Sequence, residues 1–260
     1  MQIFCINLPR SQDRRDFQRQ QAALHGLDIC FLEAIDYKHL SESELKRAAQ
    51  FWTRPIEGKD IGCFHSHRSA WERVSSSSGL CMVVEDDVVF SNLIKQAIDL
   101  VEIQHSDPFA VYDLEYAPRQ HLLGKEPLWS FDGLTARELF INKCGAGCYV
   151  LSPLAAKRLL AEVSEYAMVD SWLWTRPWIT KIQIEPCPAA QVRDLSDRPE
   201  FEAYTSGSDP KWYSPSSWIR KKQIRLRLTM DQAKSAIKGL MTGEKRDLIV
   251  DRSEFDISES

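Results

Sequence analysis

The sequence predicts an α/β fold, a mostly parallel sheet with helices on both faces, and three observations lead there. Short apolar runs alternate with segments of helical period over the first ~115 residues, the rhythm of successive βαβ units. One run, Leu80 to Val84, is apolar throughout, as a strand buried on both faces requires. The acidic triplet Glu85-Asp86-Asp87 follows it directly, at the carboxyl end of the strand, where sheets of this kind bind ligands.

Gln2–Ile6 reads as a buried strand closed by Asn7-Leu8-Pro9. Ser11 to His25 has helical period and Gly26 suits its C-cap. Leu27–Ala34 reads as the next strand. Ser41 with Glu44 forms a capping-box pattern for a helix to about Phe51. Asp60 to Val74 is expected to be helical, with Ile61, Phe64, Trp71 and Val74 roughly on one side. Leu93–Ile103 and Ala110–Leu114 continue the alternation. Residues 117–145 are broken by Pro and Gly and resist assignment. Tyr149–Leu151 suggests a strand, and Pro153 suits the first position of a helix to about Ser164. The expected division is a domain over 1–215 and a basic amphipathic segment over 216–260.

A net charge of -4 over 260 residues gives no global signal for nucleic-acid binding. The seven cysteines are an odd set with no C-x-x-C pair, which favours reduced thiols over a disulfide framework. The N-terminus runs straight into Ile3-Phe4-Cys5-Ile6 without a basic leader, and no apolar run approaches the ~18 residues of a membrane span. The expected setting is cytoplasmic, with peripheral attachment to the inner membrane's cytoplasmic face as an option.

Three consecutive carboxylates repel one another, and a cation among them relieves that repulsion. Strand alternation puts Glu85 and Asp87 on one side and Asp86 on the other. Hard oxygen ligands suit Mn²⁺ or Mg²⁺, which share phosphate oxygens with a substrate. Such an ion stabilises charge on a departing diphosphate. A solvated acidic loop is the plain alternative. Arg10 and Arg14 share a helix face if the helix has begun by Arg10, and arginine reads phosphate bidentately. His65 and His67 stand about 200° apart on a helix, so one is expected at the site and the other elsewhere.

Taken together, four segments resemble glycosyltransferase family 25, the family of lipopolysaccharide and lipooligosaccharide glycosyltransferases and of collagen galactosyltransferase domains. They are Ile6-Asn7-Leu8-Pro9-Arg10-Ser11 with Asp13-Arg14-Arg15; Ile61-Gly62-Cys63-Phe64 with Ser66-His67 and Trp71; Val83-Val84-Glu85-Asp86-Asp87-Val88; and Gly145 with Tyr149-Val150-Leu151-Ser152. The resemblance covers about residues 1–190. It implies a GT-A-like nucleotide-binding sheet and an inverting, metal-dependent transferase using a nucleotide sugar, often UDP-galactose, with a glycan or lipid-linked glycan acceptor. It further implies donor contacts from Asn7, Leu8, Arg10, Arg14, Asp36, Ser66, His67, Glu85, Asp86 and Asp113. Glu85 and Asp87 would be metal ligands. Tyr37 departs from the family where glycine is usual, and His65 where an apolar residue is commoner. Asp170 in Met168-Val169-Asp170-Ser171-Trp172 is the candidate base, with Asp113 and Glu115 as alternatives and a helix N-cap as its plain reading. Trp172, Trp174 and Trp178 suggest a sugar platform or, more simply, core.

Between Ser217 and Arg246 nine basic residues meet two acids, Asp231 and Glu244. Leu226, Met230, Ala233, Ile237, Leu240 and Met241 recur at helical spacing, with Trp218 as a potential anchor. This pattern suits an interfacial helix on anionic lipid. It equally suits a stripe packed on the body. Ser253 to Ser260 reads as a frayed end. Two other functions compete: a nucleotidyltransferase, for which a Gly-rich phosphate loop is missing, and an inactive scaffold of the same fold.

Overall fold

A computed structural model of the protein describes residues 1–53, 56–142, 145–163, 166–195, 211–212 and 218–255. Its N-terminal half follows the apolar runs. Strands β1 (Gln2–Asn7) and β2 (Ile29–Glu33) are joined by helix α1 (Gln12–His25). Gly26 ends α1 in the left-handed conformation, at φ 61°, which glycine adopts without steric cost. Helix α2 (Glu42–Ala49) carries the expected capping box of Ser41 and Glu44. The short strand β3 (Ile56–Glu57) leads into α3 (Gly58–Ser75), and β4 (Cys81–Glu85) ends at the acidic triplet. Then come β5 (Val88–Phe90), α4 (Ile94–Gln104), β6 (Ala110–Asp113) and β7 (Glu115–Tyr116).

The unassigned stretch is antiparallel sheet: β8 (Gln120–Gly124), β9 (Trp129–Phe131) and β10 (Leu134–Ile141). Beyond it lie β11 (Cys148–Leu151), α5 (Pro153–Glu162), α6 (Val169–Thr175), β12 (Thr180–Glu185) and β13 (Ala189–Gln191). The chain continues through β14 (Lys211–Trp212), α7 (Trp218–Thr242) and β15 (Gly243–Asp247).

Among the described residues the main sheet runs β15-β8-β10-β12-β6-β11-β4-β1-β2. Its β2-β1-β4 end is parallel. Strand β11 lies antiparallel between β4 and β6, and β12 pairs parallel with β6. From β12 to β15 the pairing is antiparallel. The α/β expectation holds, while the mostly parallel sheet proves mixed. The antiparallel pairs come from β11, from β15 and from the β8–β10 insertion, whose punctuated sequence hid its strands.

Strand alternation divides the core into two layers. Phe4, Ile6, Val83 and Tyr149 face α2, α3, α5 and α6. Ile3, Cys5, Val84 and Val150 face α4. A fully buried aliphatic or aromatic side chain contributes about 1.5–3 kcal/mol, so the two layers hold the strand ends firmly in place. The segment after residue 215 is more than a helical tail, because β15 pairs with five residues of β8. Phe255 is fully buried against Phe17 and Val89, so the chain end expected to fray is docked as far as that residue; residues 256–260 lie outside the described part.

Candidate active site

The carboxyl ends of β1 and β4 open on a cleft of about 700 Å³, within the range of small-molecule sites. It gathers Leu8, Arg10, Arg14, Asp36, Ser66, His67, Glu85, Asp86, Asp87 and Asp170, every sequence-predicted site residue except Asn7 and Asp113. Asn7 sits one layer back and is 2% exposed. Its Nδ2 donates to Asp86 Oδ2 at 2.8 Å and to the Ser11 carbonyl at 3.1 Å. Asp113 does not line the cleft. Its carboxyl is buried, with Oδ1 accepting from the Glu115 amide and Oδ2 from Asn142 Nδ2, so it faces the core.

The acidic triplet divides into three roles. Asp86 turns toward the first helix: Arg14 pairs with its Oδ1 at 2.9 Å, and Gln18 Nε2 bonds the carbonyls of Asp86 and Val88. Burial pushes the Asp86 carboxyl up, and the charge of Arg14 pulls it partly back. Asp86 therefore clamps α1 to the end of β4, and its contact with a donor would be shared with that duty.

Glu85 ends a hydrogen-bonded chain. Trp71 Nε1 donates to the Tyr149 hydroxyl at 2.8 Å, and that oxygen lies 2.9 Å from His67 Nδ1. His67 Nε2 lies 3.0 Å from Glu85 Oε1. An indole can only donate, so the set closes with Tyr149 donating to Nδ1 and Nε2–H donating to Glu85. Cys63 Sγ adds a donor at 3.5 Å. Burial pushes Glu85 up, but the hydrogen bonds from His67 and, less strongly, Cys63 outweigh it and hold the carboxyl below its ordinary range. Burial also keeps Cys63 a thiol, pushing it well up.

Asp87 has no such support. Its Oδ1 is buried without a hydrogen-bond partner. Burial, then the charge of Glu85, push its carboxyl up to about 7. A buried acceptor left unpaired costs about 1–3 kcal/mol, and a cation at this edge would relieve it. Hard-oxygen donors from Asp87 and Glu85 thus fit a divalent ion. The tightest donor grouping among the described residues is instead Cys63, His67 and Glu85, whose ligand atoms lie within 4.8 Å of one another. Its protons already converge on Glu85, so it serves as a cradle for that carboxylate.

The wall opposite α1 is a loop held against α3. Ser66 Oγ donates to the Gly62 carbonyl at 2.7 Å and accepts from the Ile35 amide at 2.8 Å. A Cβ on Gly62 would stand 2.5 Å from the Ile35 carbonyl, so only glycine permits that approach. Tyr37, the departure from the family, lays its ring over Gly58, where no side chain intervenes. Arg10 reaches across to pair with Asp36. His65 points away from the cleft, its ring against Phe64.

Under the cleft, Gly145 at φ 80° and Gly147 roof the buried Glu115, whose Oε2 accepts from the Gly147 amide at 2.7 Å. Burial, then the charge of Asp113, push Glu115 well up, and neither Asp113 nor Glu115 lines the cleft. Asp170 stands in the first turn of α6 on the cleft wall, and its Oδ1 accepts from the Ser171 amide at 2.7 Å. Trp172 and Trp174 are core residues, 8% and 1% exposed. Arg176 stacks on Trp172 and Arg158 on Trp178, so this aromatic group is structural.

The sequence reading missed Arg193 and Lys59, cations that also line the cleft. Arg193 follows the end of β13, and its charge acts on both Glu85 and Asp87. Pro186 and Pro188, just before β13, mask the strand end that would otherwise mark Arg193 as the end of β1 marks Asn7.

The sequence model of Glycosyltransferase family 25 (LPS biosynthesis protein) matches residues 1–173. The chain belongs to glycosyltransferase family 25. It is 31% identical over 136 residues to procollagen galactosyltransferase 2 of Homo sapiens, covering 48% of this chain and 22% of that protein. A glycosyltransferase 25 family member of Aedes aegypti is 29% identical over 183 residues, 66% of this chain and 30% of its own length. A Rattus norvegicus relative, 28% identical over 66% of this chain and 32% of its own length, is named a probable inactive family member 3. The matched region thus spans less than a third of these relatives. A solved glycosyltransferase involved in glycosylation of the major capsid of PBCV-1 superposes with a TM-score of 0.39 at 10% identity, over 86% of this chain and 98% of that one.

Proposed function

We propose that this family member transfers a sugar, galactose being the first candidate, from a UDP-sugar to a hydroxyl of a glycan such as a lipooligosaccharide, with inversion. One observation carries this reading: Asp87 offers an unpaired buried carboxylate oxygen beside Glu85, in a cleft that also holds Arg10, Arg14, Arg193 and Lys59. Acids for a cation and cations for phosphates in one cleft are the requirement for a nucleoside diphosphate leaving group. The procollagen galactosyltransferases among the relatives support the choice of sugar.

Mn²⁺ or Mg²⁺, held by Glu85 and Asp87, would supply Lewis-acid stabilisation to the departing diphosphate. The protein's own groups do the rest. The Trp71–Tyr149–His67 chain keeps Glu85 ionised and aimed. Arg193 and Arg10 meet the phosphates from two walls. As the acceptor oxygen attacks the anomeric carbon, Asp170 takes the hydroxyl proton, and the carbon–oxygen bond to the diphosphate breaks with its electron pair leaving on the phosphate oxygen.

Asp170→Asn is expected to lower transfer by about 10²–10⁴-fold, the usual share of a general base, while UDP still binds. A panel of nucleotide sugars with Mn²⁺, read as thermal stabilisation and as transfer, checks both halves. Near-normal turnover by the variant removes Asp170 from the role. Failure of every nucleotide to stabilise the wild-type protein favours an inactive scaffold.

A further inference from the structure

We infer that α7 docks the protein on an anionic membrane surface, because its apolar stripe faces away from the body. In most surface helices the polar side meets water and the apolar side meets the core. Here a second apolar face points the other way. The inward side is held by Leu228, packed against the main core, and by polar links: Asp231 to Arg176 at 3.0 Å, Ser235 Oγ to Lys181 Nζ at 3.0 Å, and Lys238 to Glu138 at 2.6 Å. Gly239 lies against Leu122 and Phe140 so closely that a Cβ there would collide with both.

At about 100° per residue, Ile219, Leu226, Met230, Ile237 and Met241 fall within about 60° of arc on the opposite side. With Leu240 they are 61–81% exposed. Packing on the body, the other reading of this stripe, is therefore excluded.

Charge selects the occupant. The helix carries seven basic residues and one acid, Asp231, and that acid is turned inward against Arg176. Exposed Lys222 and Arg225 border the stripe on one edge and exposed Arg227 on the other. Apolar residues bordered on both edges by cations match an interface of acyl chains under acidic headgroups. A second copy of the helix would bring basic edges against basic edges. The side chain of Trp218, the potential anchor, lies outside the described part.

Helix α7 also touches α6, the helix carrying Asp170, through the Arg176–Asp231 pair. Docking would bring the Asp170 wall toward the membrane, so a lipid-linked saccharide becomes the expected acceptor class; that extension, unlike the docking itself, rests on the proposed sugar transfer.

Vesicle co-sedimentation of the whole protein tests the docking. Pelleting is expected with phosphatidylcholine vesicles containing about a third phosphatidylglycerol, and little with phosphatidylcholine alone. Replacing Lys222, Arg225 and Arg227 by Gln should weaken binding about 100-fold, each cation near such a surface being worth about fivefold. Met230→Ser with Ile237→Ser should weaken it about tenfold or more, with the melting temperature unchanged because both positions are exposed. Absence of pelleting with the anionic vesicles at low salt overturns the proposal. So does full binding by the serine variant, which would reduce the effect to charge alone. Concentration-dependent dimerisation abolished by Met230→Ser would assign the stripe to a second copy and overturn it as well. None of these readouts depends on enzymatic turnover.

Discussion

Two groups of buried acids lie at and beneath this site, and they are treated in opposite ways. Asp113 and Glu115, beneath the Gly145–Gly147 segment, have their oxygens met by an asparagine and two backbone amides. Asp87, at the end of β4, keeps an oxygen with no partner. Burial raises all three, so desolvation alone does not distinguish them. Hydrogen bonding does. A buried acid with its donors in place serves the fold; one left without them, in a cleft lined by cations, is positioned for a ligand. Asp86 stands between these cases, bordering the cleft while bound to Asn7 and Arg14.

The largest effect expected from this contrast falls on Asp87. Asp87→Asn should lower transfer by about 1,000-fold, the scale of a lost electrostatic contact in an active site. The same change should stabilise the cation-free protein at pH 8 by about 2–4 kcal/mol. Because its folded-state value of about 7 exceeds the ordinary 3.8, Asp87 imposes no penalty below about pH 4. Stability is then lost as pH rises through about 7. Melting curves from pH 4 to 8 without metal should show that decline in the wild type and a flatter line in the variant. Equal slopes would mean that Asp87 is satisfied in solution and would erase the contrast.

Asp86→Ala comes next. Removing one partner of a buried pair typically costs about 3–5 kcal/mol. Arg14 keeps 19% of its side-chain surface and can rehydrate, so about 3 kcal/mol is expected by urea denaturation. The smallest change is reserved for the floor. Glu115→Gln retains an oxygen for the Gly147 amide and removes a carboxyl whose charged form burial already disfavours. It should alter stability by about 1 kcal/mol or less and turnover by less than about threefold. A large loss of activity would show that Glu115 acts in the chemistry.

The legible parts of this molecule were the local ones. Five apolar residues ending in three acids placed β4 and the cleft edge, and the Ser41–Glu44 capping box fixed the start of α2. The one-sidedness of His65 and His67 followed from helical geometry. The split of roles within the acidic triplet did not, since it depends on Arg14 and Asn7 arriving from 72 and 79 positions away. Asp113 looked like a strand-end acid, and only its pairing with Asn142 across 29 positions turns it inward. The strands β8 to β10 were concealed by Gly and Pro at their turns. The periodicity of α7 was visible, whereas its orientation was not, because polar anchoring on Arg176, Lys181 and Glu138 is long-range information.

Strand β15 has a consequence for any attempt to separate the body from the C-terminal segment. Gly243 to Asp247 cover the hydrogen-bonding edge of β8, and Leu248 closes a small cluster with Leu123, Leu139 and Cys187. Cutting the chain before α7 would uncover that edge and that apolar patch together, and a bare strand edge recruits other chains. A truncated protein would thus tend to self-associate for reasons unrelated to α7. The residues after 242 protect the β8 edge of the sheet, and the chain is best treated as one aggregation unit, altered by point substitution in place of deletion.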